Sequence, residues 1–116
     1  MMAAMATSHV ALVTGDLMFA SRLRAALAGN AEVDVVASGE VPEAATVFVD
    51  LNDDVEARLE LISRLRARGD VRLIGFCQHD ERSVRVRAME RGADQVVTNG
   101  ALQQAAVRLL GVAAGD

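Results

Sequence analysis

Asp50 closes the run "ATVFVDLND" (residues 45–53), in which Val47, Phe48 and Val49 lead straight into a carboxylate. Asp53 and Asp54 follow it closely. A carboxylate ending a buried strand lies at a sheet edge, where α/β folds bind their ligands. Such a group can be a nucleophile, a metal ligand or a solvated strand end. Asp16 follows a second β-rich run, "HVALVT" (9–14). Either acid could serve a hard cation such as Mg²⁺, which accepts few protein ligands when water supplies the rest. Asp16 equally suits the N-cap of a following helix. Cys77 follows a fourth run, with His79 two residues on; two ligands from one loop make a poor soft-metal site. Cys77 is either a redox or modification site or a small half-buried side chain. Nearby Asp16 and Asp50 are expected to raise its pKa and blunt its reactivity.

The elements that must position these residues are legible from the pattern. Five short, Val-rich runs read as strands: 9–14, "VDVVA" (33–37), "TVFVD" (46–50), "VRLIGF" (71–76) and "QVVT" (95–98). Nearly continuous apolar runs suit parallel strands buried on both faces. Helical patterns lie between them at 16–29, 53–69, 80–92 and 101–114. The first carries Phe19, Ala20, Leu23 and Leu27 on one face, the second Val55, Leu59, Ile62 and Leu65, and the last Leu102, Ala106, Leu109 and Leu110. Gly29, Gly69 and Gly92 stand at helix ends. "RSVRVR" (82–87) alternates like a strand, so its assignment as helix rests on context and on Gly92. The eight residues of "SGEVPEAA" (38–45) allow a turn of helix at most. Alternating strands and helices imply right-handed crossovers and an α/β, doubly wound parallel sheet. His9 reads as a strand-entry residue.

Bulk properties narrow the function. With 116 residues the chain is one domain, expected over 9–114 behind a flexible leader at 1–8. A 52% hydrophobic composition supports a packed globule, with an aliphatic core because there are three Phe and no Trp or Tyr. A net charge of −4 argues against nucleic acid as the main partner. One Cys excludes an internal disulfide and fits a cytoplasmic location. No apolar stretch approaches the roughly 18–20 residues that span a bilayer. The loop "TGDLM" lacks both the G-x-G-x-x-G fingerprint and a P-loop Lys, since all twelve basic residues are Arg. No nucleophile–base–orienter set marks the chain as an enzyme.

The order and lengths of these segments, with acids after the first and third strands, resemble the receiver domain of bacterial response regulators, the CheY-like superfamily. "ALVTGDLMFASRLRAAL" looks like its first strand, acidic turn and first helix. "VFVDLN" looks like its third strand with the phosphoacceptor, and "RAMERGADQVVT" like the helix, Gly-Ala turn and fifth strand. The resemblance implies a flavodoxin-like five-stranded sheet of order 2-1-3-4-5, here with the second helix shortened or missing. It implies Asp50 as phosphoacceptor, with Asp16, Asp50 and the carbonyl of Asn52 as a weak candidate set for Mg²⁺, and with a Lys and a Ser or Thr hydroxyl holding the phosphoryl oxygens.

The chain departs from that pattern at each helper. One of the paired acids is Gly15, the Ser/Thr position is Cys77, the Lys position is Asn99, and the aromatic switch position is Val96. The expectation is therefore a pseudo-receiver: a regulatory module acting by protein contact, with impaired or absent phosphorylation switching. Two alternatives stand beside it. One is an atypical single-domain response regulator still phosphorylated on Asp50 by a histidine kinase. The other is a small-molecule or nucleotide binder at the same sheet edge. The resemblance implies a partner or homodimer surface on the fourth helix, fifth strand and fifth helix. Arg82, Arg85, Val96 and Arg108 are the interface candidates.

Overall fold

The computed structural model describes residues 8–110. The expected leader at 1–8 and the end of the last helix, 111–114, lie outside the described residues except for Ser8. The described residues form five strands and four helices, alternating except between β2 and β3: β1 (Ser8–Val13), α1 (Leu17–Ala26), β2 (Ala31–Val36), β3 (Thr46–Asp50), α2 (Val55–Ala67), β4 (Arg72–Cys77), α3 (Arg82–Arg91), β5 (Gln95–Thr98) and α4 (Leu102–Leu109). A single 3₁₀ turn, Asn99–Ala101, joins β5 to α4. The sheet is wholly parallel, in the order β2-β1-β3-β4-β5.

Period-two alternation along the strands divides the core in two. Val10, Leu12, Phe48, Ile74 and Phe76 pack under α1 and α4 with Leu23, Leu27, Leu102 and Ala106. Ala11, Val13, Val47, Val49 and Leu73 pack under α2 and α3 with Leu59, Ile62, Leu65 and Ala88. Leu51 lies so close over β4 that a Cβ on Gly75 would sit 2.6 Å from its Cδ1. The ambiguous segment 82–87 is helical: Val84 and Ala88 are its buried residues, four apart on one face. Gly92 ends α3 at φ 120°, and an added Cβ there would meet the Arg66 stem at 2.8 Å.

One strand departs from expectation. β2 is not buried on both faces: Glu32 and Asp34 are exposed. The reason is the short connection at 38–45, which contains no helix. Where a helix would cover β1 and β2, the chain instead inserts the buried side chain of Val41 into the core. The rest of that face stays open, so it carries charge. His9 Nδ1 lies 3.8 Å from Glu32 and 3.9 Å from Asp34 across the β1–β2 pair.

Candidate functional site

β1 and β3 are adjacent and run Val13 opposite Val49, so the next residues, Thr14 and Asp50, meet at the C-terminal edge. Both are almost wholly buried, at 2% and 3% exposure. Thr14 Oγ1 donates to Asp50 Oδ2 at 2.6 Å. The other carboxylate oxygen, Oδ1, accepts from the backbone N–H and from Nδ2 of Asn52, each at 2.8 Å. Every oxygen of Asp50 is therefore engaged by the protein itself. These are charge-assisted bonds, and breaking one costs roughly 1.5–3 kcal/mol.

Asn52 extends the network across the sheet edge. Its amide pairs reciprocally with that of Asn99: Nδ2 of each donates to Oδ1 of the other at 3.0 Å. This double bond straps the β3–α2 loop to the end of β5. It spans the place where the family's Lys was expected, and it brings no charge.

Asp16 is turned to another task. Its Oδ1 accepts from the Met18 N–H at 2.8 Å, capping α1, and its own N–H donates to Thr14 Oγ1 at 3.0 Å. The candidate Mg²⁺ ligands already carry other bonds. Both Asp50 carboxylate oxygens accept protein hydrogen bonds, Asp16 Oδ1 caps a helix, and no group of three His, Cys, Asp or Glu able to hold a metal exists among the described residues. Gly15 is exposed, and a Cβ there would meet nothing within 4 Å, so space does not explain the missing acid.

Cys77 requires a correction. It is fully buried in the cluster under α2 and α3 rather than half-buried. Its pKa is raised, as expected, but chiefly because burial disfavours the thiolate. The Arg85 guanidinium opposes that shift, and the acids that reinforce it are Glu81 and Asp80 rather than Asp16 and Asp50. His79 is exposed and forms no metal-binding group with Cys77.

The sequence reading missed Arg58. It is 6% exposed, and its guanidinium caps the C-terminal ends of three neighbouring strands. Nη1 donates to the Asp50 carbonyl at 2.8 Å and makes a long 3.5 Å contact to that of Val13, while Nη2 donates to the Ala37 carbonyl at 3.0 Å. The signal was present: Arg58 lies three residues after Val55 and four before Ile62, on the apolar stripe of α2. Thr14 was also missed as a partner of Asp50, because only the register brings them together.

The interface candidates are scattered in exposure. Arg82 and Arg108 are exposed, while Arg85 and Val96 are half-buried. Val96 packs against the α2–α3 core, and Arg85 Nε is buried without a hydrogen-bond partner among the described residues. The exposed apolar side chains on α3 are Val86 and Met89, each 48% exposed.

The fold has many solved counterparts. The receiver domain of the TMAO respiratory system response regulator TorR superposes with a TM-score of 0.77 at 26% identity, covering 90% of this chain and 95% of that one. The chain belongs to the CheY-like receiver superfamily. A putative response regulator from Chloroflexus aurantiacus matches the receiver with a TM-score of 0.78 at 18% identity, over 92% and 97% of the two chains. A CheY-like protein, TadZ, from Pseudomonas aeruginosa matches at 0.76 and 18%, over 90% and 100%. No family model matches this receiver, and no curated protein does. The cavities nearest α2, of about 390 and 630 Å³, lie against residues 39–44 rather than at the Asp50 edge. None of the described helices is long and apolar enough to cross a membrane.

Proposed function

We propose that this receiver is a pseudo-receiver: a cytoplasmic signal-transduction module of the two-component type that works by protein contact without a phosphorylation switch. One observation carries the reading. The Asp50 carboxylate is buried with Thr14 on one oxygen and Asn52 on the other. An attack on a phosphoryl group would first have to release an oxygen, at roughly 1.5–3 kcal/mol, or about one to two powers of ten in rate. The dianion would then meet no lysine ammonium and, where the family carries a Ser or Thr hydroxyl, the buried thiol of Cys77. Each missing donor at a site of developing charge costs about 10²–10³ in rate. These losses compound, and the missing donors outweigh the occupied oxygen.

The contact surface in this reading is α3, β5 and α4. β5 is half-buried along its whole length, Val86 and Met89 are exposed on α3, and Arg108 is exposed on α4. Arg82, Arg85 and Val96 border the same face. A protein partner or a second copy would bury the apolar pair and meet the Arg groups with carboxylates.

Intact-protein mass spectrometry tests the reading. The protein is incubated with a small phosphodonor and Mg²⁺ beside Asp50→Asn. No covalent phosphoryl adduct is expected on either. A Mg²⁺-dependent adduct on the wild type that Asp50→Asn abolishes would instead establish an atypical, phosphorylated response regulator.

A further inference from the structure

We propose that Asn99 is a site of spontaneous covalent modification, deamidation through the backbone nitrogen of Gly100, and that Asn52 is the side chain that restrains it. Three Asn occur in the chain, and their successors are Ala31, Asp53 and Gly100. A following Gly offers the least steric hindrance to attack by the next backbone nitrogen on the side-chain amide, because it has no Cβ. Gly100 is exposed, and the space where its Cβ would stand is open for 4 Å around. Its N–H lies in the leading turn of a helical segment, where backbone donors have no intrahelical acceptor.

The reaction balances without any cofactor. The Gly100 nitrogen gives up its proton to solvent and bonds to Asn99 Cγ. The Cγ–Nδ2 bond breaks, Nδ2 takes a proton and leaves as ammonia, and a five-membered succinimide remains. Water then adds to one imide carbonyl. Opening at Cγ gives aspartate at position 99, and opening at the main-chain carbonyl gives isoaspartate. One water is consumed and one ammonia released.

Two features of the fold slow this chemistry. Asn99 begins the 3₁₀ turn, which must open before the Gly100 nitrogen can reach Cγ. Its amide is also held at both atoms by Asn52, through two bonds of 3.0 Å. Asn52 is exposed and its side chain is fixed in turn by Asp50 Oδ1. The restraint therefore runs from the buried carboxylate through one amide to the other. The product undoes it. A carboxylate at position 99 has no donor for Asn52 Oδ1, so one bond of the strap becomes an oxygen–oxygen contact. A negative charge is also added beside Asp50.

Peptide mapping with isoaspartate detection, after incubation of the full chain at mildly alkaline pH, tests the proposal. The native protein should gain the amide-to-acid mass at Asn99 several-fold more slowly than the same chain in urea. Asn52→Ala should raise the native rate several-fold, and Gly100→Ala should suppress conversion both in the native protein and in urea. Asn30 and Asn52 are the internal controls. Equal native rates in the wild type and Asn52→Ala would overturn the restraint. Conversion that persists unchanged in Gly100→Ala in urea would overturn the site itself, whether or not that variant folds.

Discussion

Replacing Arg58 by Met should cost this receiver more stability than any exposed arginine would. The guanidinium holds two well-formed bonds, 2.8 Å to the Asp50 carbonyl and 3.0 Å to that of Ala37, besides the long contact to Val13. Hydrogen bonds from a charged donor contribute about 1.5–3 kcal/mol each, so the two together are worth roughly 3–6. Met keeps much of the buried stem and removes the desolvation cost of the cation, which offsets part of that loss. The net expectation is about 2–4 kcal/mol, or a fall in Tm on the order of 10–20 °C for a domain of this size. Arg58→Lys should be intermediate, because an ammonium keeps the charge but lacks the planar fork that reaches strands on either side. Urea denaturation at constant m-value measures the loss. Hydrogen exchange adds a local readout: the Thr14 amide, bonded to Val36 at 2.9 Å, should lose protection before amides at the far end of the sheet. A Met variant within about 0.5 kcal/mol of wild type, the usual range for an inconsequential surface change, would show that the three strand ends need no common cap.

Three further outcomes follow from the same geometry. Gly75→Ala drives a methyl into buried Leu51, 2.6 Å from Cδ1, and should cost about 1–3 kcal/mol by overpacking; a second variant, Gly75→Ala with Leu51→Ala, should recover part of it in urea melts. Cys77 should resist a thiol reagent in the native state and react at a rate that follows unfolding, because burial raises its pKa and removes access. The unfolded thiol ionises first, so the Cys77 contribution is complete below the ordinary thiol pKa and is lost as pH rises through the raised native value; Cys77→Ala should flatten that alkaline decline. Gly15→Asp should fold normally, since its Cβ meets open space, yet remain without a phosphoryl adduct while Thr14 still occupies Asp50; an adduct in that single variant would mean the lost acid alone silences the pocket.

The sequence by itself determined the alternation of strands and helices and the carboxylate at the end of β3. Val-rich runs and the 3.6-residue stripes of Leu59, Ile62 and Leu65 are local properties, and burial of those stripes leaves few architectures. The absence of Lys, and of Ser or Thr between Val71 and Arg82, is likewise written in the chain and survives any register. The ends of elements were less legible: α4 begins at Leu102, after a 3₁₀ turn at Asn99–Ala101 that no periodicity in the chain marks. The exposed β2 acids follow from a helix that eight residues cannot form over it.

Only the tertiary structure decided what surrounds Asp50. Thr14 lies 36 positions away in the chain, and Asn99 lies 47 from Asn52. Such pairs depend on strand order and register, which set neighbours a sequence pattern does not contain. Arg58 shows the same limit from the other side. Its place on an apolar stripe was visible, but the three carbonyls that make a buried cation tolerable come from β1, β3 and the turn after β2, and exist together only when the parallel strands end side by side.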